Sequence, residues 1–148
     1  MILFLDFDGV LHPEPCYEYK KLFCHRSLFE SVINEHCDVQ IVISSSWRHK
    51  RSLTELKELF SKDIRDRIIG VTPDWLDLPD LLSVIGQYPR QVEIEGWLRM
   101  SGKPWQDWVA LDDRPYWFRP FLKNLVRCDP RTGLTENTLL LLREKLSG

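Results

Sequence analysis

Two carboxylates, Asp6 and Asp8, stand two residues apart at the end of the apolar run Ile2-Leu3-Phe4-Leu5, with Gly9 directly behind them. An unbroken apolar run of this length reads as a strand buried on both faces, as in the middle of a parallel sheet. Side chains two apart on a strand point the same way. Asp6 and Asp8 are therefore expected together at the strand's carboxyl end, where open α/β sheets place their ligands. Two like charges that close need a cation or a shared proton. Oxygen-only ligands at short spacing suit a hard ion such as Mg²⁺. Gly9 allows a sharp turn or the close approach of a ligand.

The same pattern recurs twice. Val39-Gln-Ile-Val-Ile43 is β-branched and apolar, and it runs into Ser44-Ser45-Ser46-Trp47-Arg48. Trp108-Val-Ala-Leu111 is apolar and runs into Asp112-Asp113. Helices are expected between these strands. Ser27-Leu-Phe-Glu30 reads as a capping box opening a helix with Leu28, Val32 and Ile33 on its buried face, and Ser52-Leu-Thr-Glu55 as a second, followed by Leu53, Leu56, Leu59 and Phe60. Arg90 precedes a helix with Ile94, Trp97 and Leu98 on one face, ended by Gly102-Lys-Pro104. Ile68 to Thr72 reads as a short strand, 73–80 as a loop, and 124–127 as an edge strand. Thr135 caps a last helix with a leucine run over 139–142.

Strands alternating with helices predict a three-layer α/β sandwich around a central parallel sheet, within a single domain spanning 1–148. That topology brings the carboxyl ends of distant strands to one edge. Asp6, Asp8, Ser44, Asp112 and Asp113 all fall at such ends.

The bulk properties narrow the choice. At 148 residues with 43% hydrophobic residues, the chain is large enough for one proper core. A net charge of −2 gives no general attraction to nucleic acid or membrane, so any polyanion must meet a local patch. The start of the chain lacks a basic segment, and Asp6 and Asp8 interrupt its apolar run, so no signal peptide is expected there. No stretch has the apolar length of a membrane span. Cys16, Cys24, Cys37 and Cys128 form no C-x-x-C pair and match no standard zinc spacing. Reduced thiols in the cytoplasm are the expectation.

With these motifs assembled, the chain resembles the haloacid dehalogenase (HAD) superfamily. Asp6-Phe-Asp8-Gly-Val10 matches its first motif, Ser44 its second, Arg90 its third and Asp112-Asp113 its fourth. They occur in the family's order and span residues 6 to 113, about three-quarters of the chain. The resemblance implies a Rossmann-like HAD fold and Mg²⁺-dependent hydrolysis of phosphomonoesters. It makes Asp6 the nucleophile that forms an aspartyl-phosphate, and Asp8 the acid and then the base. Mg²⁺ would be held by Asp6, the Asp8 carbonyl and Asp112, with Asp113 close by. Ser44 would bind a phosphoryl oxygen, with Ser45 as its rival, and Arg90 would neutralise charge, with Lys103 as its rival. The insertion points open to a cap, 10–26 and 61–89, are too short for a folded cap domain, so an open site is expected.

Trp47-Arg48-His49-Lys50-Arg51 and Arg114-Pro-Tyr-Trp-Phe-Arg119 flank the second and fourth motifs. Basic and aromatic groups together suit a nucleic-acid strand, whose backbone is anionic and whose bases stack. The competing reading is that Trp47, Trp117 and Phe118 are core and the arginines are solvated. Ser-Ser-Trp-Arg48, Glu93-Ile-Glu-Gly-Trp-Leu98 and Asp129-Pro-Arg-Thr-Gly-Leu134 are also similar to the small HAD-type domains of bacterial and phage RNA-repair proteins. That similarity implies polynucleotide 3′-phosphate ends as substrate. The alternatives are a small-molecule, nucleotide or phosphoprotein phosphatase, or a binding module that kept the fold without catalysis. No membrane partner is expected.

Overall fold

Residues 1–78 and 88–148 are described by the computed structural model. The apolar runs form five short strands: β1 (Ile2–Leu5), β2 (Gln40–Ile43), β3 (Ile68–Val71), β4 (Trp108–Asp112) and β5 (Leu125–Arg127). They make one sheet in the order β3-β2-β1-β4-β5, with every pairing parallel. The most apolar strand, β1, is central. The chain winds from it to β2 and β3 on one side, then returns to β4 and β5 on the other. The β1/β4 junction is therefore the point where the winding reverses, and the crevice beyond the carboxyl ends of such strands is where ligands bind.

Two apolar layers enclose the sheet. Leu3, Leu5, Ile41, Ile43, Val109 and Leu111 face α1 (Arg26–Asn34), α2 (Leu53–Lys57), α3 (Lys62–Arg65) and α5 (Glu136–Leu146). Ile2, Phe4, Val42 and Ala110 face the long α4 (Pro89–Met100), meeting Ile94 and Leu98. Alternation along each strand assigns its residues to the two faces. Phe4 takes the edges of Trp97 and Trp108, each with ring centroids 5.8 Å away. In α5 the leucine run is one-sided: Leu139, Leu142 and Leu146 are buried, whereas Leu140 and Leu141 face solvent. The loop expected over 73–80 is seen as far as Leu78, with a single 3-10 turn at Trp75–Asp77; Pro79 and Asp80 lie outside the described residues. Among the described residues there is no cap domain. None of them forms a helix long and apolar enough to cross a membrane.

The two capping boxes behave differently. Ser52 Oγ accepts from Glu55 N–H, and the Glu55 carboxylate accepts from Ser52 N–H, a complete box. Ser27 caps nothing, because α1 begins at Arg26. His25 anchors the chain there: its N–H donates to Leu11 O and its ring reaches Thr132 O at 2.8 Å. Glu30 is drawn away to accept from Ser61 N–H. The buried face of α1 is accordingly Phe29, Val32 and Ile33, and Leu28 is exposed. Ser52→Ala should lower the unfolding free energy in urea by about 1 kcal/mol. Ser27→Ala should change it by only a few tenths. Equal losses in the two variants would mean that Ser27 also caps its helix.

Candidate active site

Register sets the first three site residues. Leu5 pairs with Ile43 on one side and Leu111 on the other. One residue further, Ser44 N–H donates to Leu5 O at 2.8 Å and Asp6 N–H to Leu111 O at 3.1 Å. Ser44, Asp6 and Asp112 thus stand side by side across three strands, all buried.

Arg90, in the first turn of α4, ties the row together. Its Nη1 donates to Ser44 O and to Asp112 Oδ2 (3.2 Å), and lies 3.4 Å from Asp6 Oδ1. Its guanidinium sits over the Trp117 ring, 5.1 Å from the centroid. Burial opposes the charge on Arg90, but Asp112, Asp6 and Glu93 outweigh it and hold its pKa above the ordinary value. Lys103, the rival in sequence, lies at the opposite edge of the sheet, lining a cavity with Ile2 and Gln40 at the strands' amino ends.

Glu93 belongs to the site although the sequence assigned it no role there; it opens the stretch Glu93-Ile-Glu-Gly-Trp-Leu98 and lies three residues from Arg90 on the same helix. It is buried, 3.8 Å from Arg90 Nε, and accepts from Arg48 Nη2 at 2.6 Å and from Trp75 N–H at 3.0 Å. Arg48 also donates to Ser45 O. Arg48 therefore turns inward as a brace between the Ser44–Ser45 segment and α4, and its guanidinium is already engaged. The two serines differ as well. Ser45 Oγ accepts from Trp47 N–H, whereas Ser44 Oγ is buried with no hydrogen-bond partner among the described residues. An unsatisfied buried hydroxyl is costly unless a ligand completes it.

Asp8 departs from the expected pairing with Asp6. The strand period stops at Leu5, and Gly9 turns the chain at φ +76°. Asp8 Oδ1 lies 2.7 Å from His12 Nε2, and its Oδ2 accepts from Trp47 Nε1 at 3.1 Å. His12 Nδ1 accepts from Phe23 N–H, so the ring proton resides on Nε2 and points at Asp8. The His12 hydrogen bond, then that of Trp47, outweigh partial burial and hold Asp8 below the ordinary carboxylate range. No sequence signal marked His12 for this contact. It depends on how a loop folds back.

Asp6, Asp112 and Asp113 form the group that could hold a metal, each offering one oxygen within 4.8 Å of the others. The Asp8 carboxylate is not in it, which leaves the main-chain carbonyl as the group Asp8 could offer. Both Asp113 oxygens are buried without a hydrogen-bond donor among the described residues. A Cβ on Gly9 would fall 2.2 Å from Asp113 Oδ2, so only glycine lets that carboxylate approach. Charge makes the same point. Asp6, Asp112, Asp113 and Glu93 are buried against two guanidiniums, Arg90 and Arg48, leaving two negative charges that one divalent cation would balance. Burial first, and then the Asp6 charge, push Asp113 up to about 7 and raise Asp112 well above its ordinary value. Burial also raises Asp6, against the pull of Arg90. A hard ion with oxygen ligands fits this donor set.

Over nearly the whole chain, residues 2–139 match the family described as the HAD domain in Swiss Army Knife RNA repair proteins. The chain belongs to it. It is accordingly a small HAD-type domain. No curated protein and no solved structure gave a significant match.

The raised carboxylates set a pH dependence. Between about pH 4 and about pH 7 the folded chain keeps a proton on Asp113 that the unfolded chain has released, so metal-free stability falls as pH rises through that window. Asp113→Asn should flatten this fall in thermal melts with EDTA. A melt whose pH dependence is the same with and without the substitution would contradict the shift.

Proposed function

We propose that the domain is a Mg²⁺-dependent phosphomonoester hydrolase that acts through an aspartyl-phosphate on Asp6, with polynucleotide 3′-phosphate ends as substrate. The observation that carries this reading is the in-register row Ser44–Asp6–Asp112 bridged by Arg90, with Asp8 held to one side by separate partners. A phosphate seated there has the unpartnered Ser44 hydroxyl as a donor and the Arg90 guanidinium as a counter-charge. The Asp6 carboxylate attacks phosphorus and forms the covalent intermediate, splitting one hard displacement into two easier ones. Asp8, carrying a proton, gives it to the leaving oxygen in the first step, so that the oxygen departs as a hydroxyl and Asp8 is left ionised. In the second it takes the proton of the attacking water. Its hydrogen bonds to His12 and Trp47 suit the ionised form needed as base, and an incoming anionic phosphate raises its proton affinity for the first step.

Asp6, Asp112, Asp113 and the Asp8 carbonyl would hold the metal, which supplies the positive charge that lets an anionic nucleophile meet an anionic phosphate. The absence of a cap domain among the described residues, together with membership of an RNA-repair family, supports a polymer end as substrate. Phosphate release should require Mg²⁺ and stop with EDTA. It should be faster from a 3′-phosphorylated oligonucleotide than from a 5′-phosphorylated one, a mononucleotide or an aryl phosphate. Asp6→Asn should lower it roughly 10⁴-fold or more while the fold survives. Appreciable turnover by Asp6→Asn would remove Asp6 as nucleophile. A preference for the small phosphates would remove the polymer substrate and keep the mechanism. Release from none of them would favour a phosphoprotein substrate or a binding module.

A further inference from the structure

We infer that the cavity between Asp8 and the segment Ser46–Arg51 seats the leaving side of a polynucleotide strand, with Lys50 and Arg51 meeting its backbone phosphates. This rests on the reading of Asp8 as the group beside the leaving oxygen. The cavity measures about 430 Å³ and is lined by Asp8, Ser46, Trp47, His49, Lys50 and Arg51. Whatever departs as Asp8 serves its oxygen must occupy the space Asp8 lines. For a 3′-phosphorylated strand, that departing group is the terminal nucleoside with the rest of the chain behind it.

The charges around the site select this cavity. Arg90 is bound to Asp6 and Asp112, Arg48 to Glu93, and Arg114 to Glu14 at 3.2 Å. Their positive charge is spent within the fold. Lys50 and Arg51 are exposed and have no ion-pair partner among the described residues. Among the described residues, Asp8 is the one acid in their cavity. Arg51 is also held in place: its guanidinium lies 5.0 Å from the Trp47 ring centroid, and Trp47 itself donates to Asp8. The cation, the aromatic ring and the carboxylate are therefore linked as a unit, the combination that accepts a stacked base and an adjacent phosphate.

A second cavity, of about 390 Å³, opens on the other side, beside Asp113. Its two arginines, Arg114 and Arg127, are offset by Glu14 and Asp113, and Arg114 is already paired. It is the poorer host for a polyanion. A mononucleoside 3′-phosphate has no inner phosphate, so Lys50 and Arg51 would favour only the longer substrate.

The test compares Lys50→Gln/Arg51→Gln with Arg127→Gln. In turnover, the double variant should reduce the advantage of a 3′-phosphorylated oligonucleotide over a mononucleoside 3′-phosphate, read as a ratio of KM, by about tenfold. In fluorescence anisotropy on an Asp6→Asn background with Mg²⁺, it should weaken binding of the same oligonucleotide. The slope of log affinity against log salt should flatten by about 0.7 for each phosphate that is no longer neutralised. Unchanged affinity and slope in the double variant would overturn the inference, as would weakened binding that appears in Arg127→Gln instead. Absence of phosphate release from these oligonucleotides and mononucleotides would defeat the reading of a 3′-end hydrolase alone, because the anisotropy comparison still decides which cavity takes the strand.

Discussion

Arg90 is the cation that the buried carboxylates at the end of the sheet share, and most of the architecture around it exists to keep it there. Its guanidinium touches the ends of three strands through Ser44 O, Asp6 and Asp112. Glu93 holds it from its own helix, and Trp117 packs over it. Removing ionised groups from water is expensive, and apolar side chains of similar volume are often as stable or more so. A sheet edge selected for stability alone has no reason to bury Asp6, Asp112, Asp113 and Glu93 against two guanidiniums. The excess of negative charge is one that a divalent cation would balance. Gly9 belongs to the same arrangement, since any larger residue would push Asp113 out.

The carboxylates fall into two environments, and that separation carries the chemical logic. Asp6, Asp112 and Asp113 are buried together, and burial raises all three. Asp8 sits apart, where the His12 and Trp47 hydrogen bonds lower it. Neighbouring acids whose surroundings push their proton affinities apart are how one site supplies different roles at one pH. His12 is fixed for this purpose by the backbone N–H of Phe23 and by packing against the rings of Phe23 and Trp47.

The short turn after β2 makes a similar division among cations. Ser46–His49 is a 3-10 turn capped by Ser45. It sends Arg48 inward to Glu93 and leaves Lys50 and Arg51 facing outward. The aromatic residues divide too. Phe118 is core, Trp117 lies against Arg90 and Arg114, and Tyr116 is exposed. The basic and aromatic stretches are thus neither wholly core nor wholly surface. Each has an inward half that builds the site and an outward half at its rim.

Much of this was legible from local pattern. Apolar runs ending in polar residues marked β1, β2 and β4, because a strand buried on both faces has no alternation to disguise it. The order of strands and helices implied a parallel sheet, and a parallel sheet must gather Asp6, Ser44, Asp112 and Asp113 at one edge. Ser52 and Glu55 announced their helix, since a capping box is satisfied within four residues. Ser27 and Glu30 have the same spacing and did not form one, because His25 and Ser61 offered longer-range partners. The contacts of Arg48 with Glu93 and Arg114 with Glu14 followed the same rule. The sequence by itself determined the main strands, the longer helices, their order and the edge where the acids collect, because periodicity and capping are satisfied between near neighbours. Only the tertiary structure decided which charge is paired, which carboxylate is lowered and which cation is left facing out. Those outcomes depend on distances between segments that the chain brings together only when it folds.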